Sequence, residues 1–172
     1  TPLGSNVFGK YVVVFNNDKE MAVLMNRSYL PRAYAVQQVV IEKDKDMIFN
    51  ILNHPRFNPN EMAVLEVPSP AAMSASPGPS TVKIAMYSND DIKINADMAE
   101  NGFLILSEKY YPGWKAYVDG KETKIYKANY IMRGVYLPKG THKVEFLFDP
   151  WPYKAGLWLS SATFLFLVGA VI

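Results

Sequence analysis

The sequence predicts a mainly β chain, an antiparallel β-sandwich of the jelly-roll or immunoglobulin-like kind, with one short helix and an apolar C-terminal segment. Three observations predict this architecture. Runs of β-branched and aromatic residues recur roughly every 8–12 residues with turn-forming residues between them. Helical spacing of apolar residues is confined to the region near 44–53. Residues 155–172 contain no charged side chain.

The predicted strands follow one another along most of the chain. They cover residues 11–15, 21–25, 34–41, 62–67, 82–87, 92–96, 103–107, 115–118, 123–126, 130–137 and 143–148. Residues 103–107 (FLILS) are almost continuously apolar, which is typical of a strand that is buried on both faces. The Asp119-Gly120 pair is a strong signal for a two-residue hairpin turn.

The single predicted helix begins after Asp44, whose carboxylate can accept a hydrogen bond from the first turn. Its apolar positions at helical spacing are Met47, Ile48, Ile51 and Leu52. Pro55 prevents the helix from continuing. Residues 68–80, rich in Pro, Ser and Ala and without charge, predict a surface loop or linker. We therefore expect residues 1–153 to form one domain that contains this loop.

The apolar segment 155–172 would make a helix of about 27 Å, close to the roughly 30 Å thickness of a bilayer's hydrocarbon core. Trp151, Tyr153 and Trp158 suit an interfacial aromatic belt at its start. We therefore expect residues 154–172 to begin a transmembrane helix that contacts lipid, and the chain to be a piece of a larger membrane protein. The alternative is a helix buried in the core, although this one has no polar stripe.

Composition excludes several classes of function. The chain has no Cys, which removes disulfides, thiolate metal sites and cysteine nucleophiles. Its two His and net charge of +2 favour neither a zinc site nor binding to nucleic acid. It also lacks the GxxxxGK[ST], GxSxG and HExxH motifs. We expect no catalytic residue, metal or cofactor in this chain.

Residues 110–121 (YYPGWKAYVDGK) are unusually rich in aromatic side chains. Aromatic rings bind the apolar faces of sugars, and neighbouring polar groups can bind the hydroxyls. The candidate glycan-binding residues are Tyr110, Tyr111, Trp114, Tyr117, Asp119 and Arg133. The alternative is structural, with the aromatic residues closing one end of the sandwich.

Charged residues near this segment leave two further alternatives open. Arg133 lies in the middle of a predicted strand, where we expect it to pair with the carboxylate of Asp119 or Glu145. Asp119, Glu122 or Glu145 could instead be the acid and base of a self-contained hydrolase. That reaction needs two carboxyl groups about 5–9 Å apart in a concave site.

A specific resemblance covers roughly residues 20–172. The segments that carry it are 106–121 (LSEKYYPGWKAYVDGK), 128–130 (ANY), 133–138 (RGVYLP), 140–144 (GTHKV) and 26–34 (NRSYLPRAY). Together they resemble the C-terminal extracytoplasmic domain of YfhO-type bacterial membrane proteins. The loop 68–80 has no counterpart in the resemblance.

The resemblance implies a multi-spanning, GT-C-type glycosyltransferase that moves a sugar from a lipid-linked donor onto a cell-envelope glycopolymer such as teichoic acid. The catalytic acidic residue of such proteins lies in a loop between N-terminal helices, and no position of this chain corresponds to it. The chain would therefore be an accessory domain on the extracytoplasmic face of the cell membrane. It would contact the rest of its own protein and recognise the acceptor glycan or roof the active site. The alternative is a non-catalytic structural or protein-interaction module anchored to the membrane.

Overall fold

A computed structural model describes residues 11–15, 20–73 and 78–171, with side chains up to 169. Within these residues the chain forms thirteen strands and two helices. They are β1 (Tyr11–Phe15), β2 (Val23–Asn26), β3 (Ala33–Val36), β4 (Gln38–Ile41), α1 (Lys45–Leu52), β5 (Met62–Leu65), β6 (Thr81–Tyr87), β7 (Asp91–Met98), β8 (Gly102–Lys109), β9 (Trp114–Val118), β10 (Lys121–Thr123), β11 (Tyr126–Ala128), β12 (Met132–Leu137), β13 (Gly140–Phe148) and α2 (Trp151–Val171). The mainly β prediction is confirmed.

The chain divides into two compact units, residues 1–31 and residues 32–172. In the first unit, β1 and β2 pair as an antiparallel two-stranded sheet. Phe15, Val23 and Met25 are among its exposed apolar side chains. Two strands alone bury little apolar surface and are only marginally stable in water.

The second unit contains two larger sheets. Their strand orders are β10-β9-β13-β7-β6 and β3-β8-β12-β11-β5-β4. Side chains of both sheets form one core, and its members are Ala33, Ile92, Ile94, Ala96, Met98, Leu104, Leu106, Ala116, Val135, Leu137, Val144 and Phe146. Along β7 every second residue from Ile92 to Met98 belongs to this core, and in β13 Val144 and Phe146 do, as the period of two in a strand requires.

One pair of strands departs from the antiparallel prediction. β4 and β5 pair in parallel, with Gln38 opposite Met62 and Ile41 opposite Leu65. Parallel neighbours need a long crossover connection, and α1 lies in that connection. The helix itself is as predicted, since the Asp44 side chain accepts from the backbone N–H of Met47 at 2.9 Å. The crossover that contains this helix returns the chain to the same end of the sheet, so that β5 runs parallel to β4.

The predicted strand 34–41 is broken at Gln37. β3 and β4 lie at opposite edges of the six-stranded sheet although a single residue separates them, so the sheet curls until its edges meet there. Gln37 is only 4% exposed. Its side-chain amide donates to Gly78 O and Ser80 Oγ, both at 2.8 Å, and its Oε1 accepts from Gly78 N at 2.6 Å. The end of the predicted loop 68–80, of which residues 74–77 are outside the described part, is thereby fixed to the corner.

Gly102 allows β8 to approach the same corner. A Cβ at this position would lie 2.5 Å from the backbone oxygen of Val36 and 3.2 Å from the Gln37 side chain. A Cβ atom cannot lie 2.5 Å from the Val36 oxygen, and this oxygen cannot move aside because it belongs to the backbone. Glycine is thus required where the strand passes the corner.

The predicted strand 123–126 is also divided. β10 belongs to the five-stranded sheet and β11 to the six-stranded one, so the chain crosses between the sheets at this point. β12 begins later than predicted because Asn129 and Tyr130 have positive φ, 46° and 73°, and form a tight turn. The Asn129 side chain accepts from Val64 N at 2.9 Å, and this ties the turn to β5.

The C-terminal helix α2 starts at Trp151 and includes the charged Lys154 in its first turn. Among the residues that the structure describes, no helix is both long enough and apolar enough to cross a bilayer. The expectation that residues 154–172 begin a transmembrane helix concerns only the start of a span, and it stays a prediction.

We expect Gln37→Leu to lower the free energy of unfolding by about 2 kcal/mol, because it removes three hydrogen bonds and leaves the partly buried backbone N–H and C=O of Gly78 without these partners. Gln38→Leu is the matched control, since this neighbouring side chain is exposed and surface substitutions usually change stability by less than about 0.5 kcal/mol. Urea denaturation of both variants measures the difference. Equal effects of the two substitutions would show that the corner does not depend on the Gln37 side chain.

Candidate ligand-binding site

A tight turn between β8 and β9 presents the aromatic segment. Gly113 in this turn has φ of 103°, and a Cβ there would lie 2.9 Å from the ring of Phe148. Its carbonyl accepts from the backbone N–H of Asp149 at 2.7 Å, which joins the turn to the end of β13. The Pro112-Gly113 turn therefore places Tyr110 and Tyr111 on one side and Trp114 on the other.

A cavity of about 170 Å³ lies beside this turn. Its lining residues are Tyr110, Tyr111, Pro112, Trp114, Lys115, Glu122, Thr123, Ile125 and Arg133. Tyr110 and Tyr111 are 41% and 56% exposed, whereas Trp114 is half-buried and packs against the core. The tyrosines thus stand at the surface of the cavity rather than inside the core.

Arg133 forms the buried part of the cavity lining. It shares a face of β12 with the core residues Val135 and Leu137, and it is only 2% exposed. Its guanidinium carbon lies 3.9 Å from the ring centroid of Trp114 and 5.4 Å from that of Phe146. Neither Nε nor Nη1 has a hydrogen-bond partner in the described part of the protein. Arg133 is therefore a buried cation that contacts aromatic rings instead of a carboxylate.

The expected pairing of Arg133 with Asp119 or Glu145 is wrong. The carboxylate of Asp119 lies 2.7 Å from His142 Nδ1, and Glu145 is 3.0 Å from the ammonium group of Lys93. On β13 the side chain of Phe146 belongs to the core, so Glu145, one residue earlier, points to the opposite face. The two sides of the sheet separate these carboxylates from Arg133.

Nearby charges only partly stabilise the Arg133 cation. Burial lowers the pKa of the Arg133 guanidinium, while Glu108 and Tyr87 act in the opposite direction. Glu108 is already engaged, because it accepts from Tyr87 Oη at 2.6 Å and from Arg32 Nη1 at 2.5 Å. This group of Arg32, Tyr87 and Glu108 was not predicted from the sequence. The β8–β12 pairing is irregular between Met132 and Arg133, and no sequence motif marks that irregularity.

The structure does not bring all six predicted residues together. Tyr117 and Asp119 line a different groove of about 430 Å³, together with Lys93, Lys143 and Glu145. Along β9, Trp114 faces the core and Tyr117 faces away from it, because the two residues are an odd number of positions apart. Tyr110, Tyr111, Trp114 and Arg133 therefore form one site, and the other two residues lie outside it.

Asp119 stabilises the hairpin between β9 and β10. With φ of 51°, followed by 79° at Gly120, it forms the predicted two-residue turn. The backbone N–H of Lys143 and the imidazole of His142 hold the pKa of Asp119 below its usual range. Its side chain thus ties the β9–β10 turn to β13.

The described residues do not assemble the hydrolase alternative at this cavity. Asp119 and Glu145 are engaged elsewhere, which leaves Glu122 as the carboxylate among the cavity-lining residues. Glycoside hydrolysis requires two. Within the described ranges, no group of three or more His, Cys, Asp or Glu side chains is placed to hold a metal ion.

Comparison with known proteins gives one match. A family model described as "Bacterial membrane protein YfhO" matches residues 10–160, a range that includes every residue lining the cavity. No curated protein and no solved structure matches the chain.

Proposed function

Because the chain belongs to the YfhO family of bacterial membrane proteins, we propose that its β-rich domain recognises a saccharide at the cavity beside the β8–β9 turn. The domain would lie on the extracytoplasmic face of the membrane. The observation that carries this proposal is the placement of Tyr110 and Tyr111 at the mouth of a cavity whose inner wall is formed by Trp114 and Arg133.

The chemistry of the lining supports a sugar as the ligand. Exposed aromatic rings offer flat apolar surfaces at small cost in conformational entropy. Polar groups at Lys115, Glu122 and Thr123 can exchange hydrogen bonds with hydroxyls. The volume of about 170 Å³ is below the roughly 300–1,000 Å³ of typical pockets for larger ligands. The cavity thus suits one group of the ligand, with the remainder lying across the two tyrosines.

The resemblance to GT-C-type glycosyltransferases gives this recognition a role. The domain would hold the acceptor glycan near the membrane part of its own protein, where a lipid-linked sugar is transferred onto a cell-envelope glycopolymer. We assign no catalytic residue to this chain. Its contribution would be accessory, through acceptor binding or by roofing the active site.

Helix α2 supports contact with the bilayer. Its large apolar side chains at 157–159 and 164–168 are exposed, and Trp158 is 75% exposed. Lys154 and Tyr153 lie at the N-terminal end, as amphipathic residues do at a membrane interface. We propose that this helix contacts the bilayer beside the rest of the protein.

Vesicle flotation tests this assignment. The chain should float with phospholipid vesicles, and Phe166→Glu should reduce the bound fraction several-fold, because burying a charge in lipid is costly. Phe49→Glu, at an exposed position on α1, is the matched control and should not change the bound fraction. Equal loss for both variants would contradict lipid contact through α2.

The saccharide proposal is tested by NMR titration of the chain with cell-envelope oligosaccharides at millimolar concentration. We expect shifts at Tyr110, Tyr111 and the Trp114 indole, and about fivefold weaker binding for Tyr111→Ala, from loss of one ring contact worth about 1 kcal/mol. Tyr29→Ala is the control, since it removes an exposed tyrosine outside the cavity. Shifts that avoid the cavity, or equal weakening by both variants, would favour the alternative of a structural or protein-interaction module.

A further inference from the structure

We infer that the cavity binds an anionic group of the ligand, a carboxylate or a phosphate, against the guanidinium of Arg133. The inference rests on the proposed saccharide function and specifies the substrate class: acidic or phosphorylated sugars in preference to neutral ones. It starts from an imbalance of charge in the described residues, where a buried cation at the cavity has no counter-ion.

Two carboxylates near the cavity, those of Glu108 and Asp149, are already engaged, and Glu122 in the lining forms no ion pair with Arg133 in the described part of the chain. Glu108 binds Arg32 and Tyr87. Asp149 binds Lys115 at 2.9 Å and also contacts Lys154. None of these contacts includes Arg133, and in the described part of the chain no ion pair reaches its guanidinium. The positive charge at the inner wall of the cavity is therefore left without an opposite charge.

The geometry leaves a ligand as the group that can supply this charge. The guanidinium contacts the rings of Trp114 and Phe146, of which Phe146 belongs to the core. Arg133 nevertheless lines the cavity, which is open beside the exposed tyrosines. An oxyanion that enters would meet a planar donor held in position by Trp114. Guanidinium binds carboxylate and phosphate oxygens with short, charge-assisted hydrogen bonds.

A neutral hydroxyl would not serve equally well. A hydroxyl can accept one hydrogen bond from the guanidinium, but it leaves the buried positive charge without an opposite charge. Burial of a charge costs least free energy when the charge is both paired and hydrogen-bonded. The lining also contains Lys115, whose ammonium group already pairs with Asp149. Glu122 at the rim can still accept from sugar hydroxyls. The distribution of charge thus favours an acidic group at the inner wall and hydroxyls further out.

The test compares ligands that share one sugar ring. Methyl glucoside is neutral, methyl glucuronide carries a carboxylate and glucose 1-phosphate carries a phosphate, and inorganic phosphate alone is the fourth probe. We expect both charged sugars to bind about tenfold more tightly than the glucoside, as one charge-assisted hydrogen bond allows. The Arg133 Nε–H resonance should shift with each anion. Equal Kd values for the glucoside and both charged sugars would overturn the inference.

Substitutions assign the effect to Arg133. Arg133→Met should abolish the preference for charged sugars, so that their Kd values equal that of the glucoside. Arg133→Lys should keep part of the preference because the charge remains. Arg56→Met removes an exposed arginine outside the cavity and should keep the full preference. A full preference in Arg133→Met would overturn the inference, and Arg133→Lys provides the comparison if the Met variant does not fold.

The outcomes separate this inference from the saccharide proposal. If the glucoside and the charged sugars bind equally at the cavity, saccharide recognition holds and the anionic subsite is wrong. If no sugar binds but inorganic phosphate shifts the Arg133 resonance, the anionic subsite holds and saccharide recognition is wrong. The relative affinity of the glucuronide and the phosphate distinguishes the two sources of the anion.

Discussion

A buried guanidinium without a counter-ion is the constraint on which the site depends. The period of two along β12 places Arg133 on the same face as Val135 and Leu137, at the edge of the core. Removing such a charge from water costs several kcal/mol. The cation–π contact with the ring of Trp114, whose centroid is 3.9 Å away, offsets about 2 kcal/mol of this cost. The remaining cost is a loss of stability that proteins commonly accept where a side chain serves binding.

The fold around this residue is held by a few polar contacts at points where strands change direction. Gln37 joins the two edges of the six-stranded sheet, and Asn129 ties the β11–β12 turn to β5. Asp119 does the same for the β9–β10 turn and β13. These contacts fix β9 and β12, the strands that carry Trp114 and Arg133. The cavity is therefore a consequence of strand positions, with the aromatic turn covering it.

Much of the fold could be predicted from the sequence because its signals are local. Alternating apolar residues mark most strands, and Asp44 marks the start of α1. The breaks at Gln37 and between β10 and β11 could not be predicted, because they depend on which sheet supplies the pairing strand. The aromatic-rich composition of residues 110–121 was enough to single out Tyr110, Tyr111 and Trp114, which line the cavity. The expected pairing of Arg133 with Asp119 or Glu145 was wrong, and for Glu145 the apolar alternation through Phe146 already indicates that it lies on the other face.

The free energy of unfolding of Arg133→Met tests the central claim most directly. If the guanidinium has no partner within the protein, its replacement by an apolar side chain of similar length should leave stability within about 1 kcal/mol of the original or raise it, because a desolvated charge is removed. A decrease of about 3–5 kcal/mol is typical when one partner of a buried ion pair is removed. That result would contradict the account, because it would show that Arg133 is already paired in the unliganded protein.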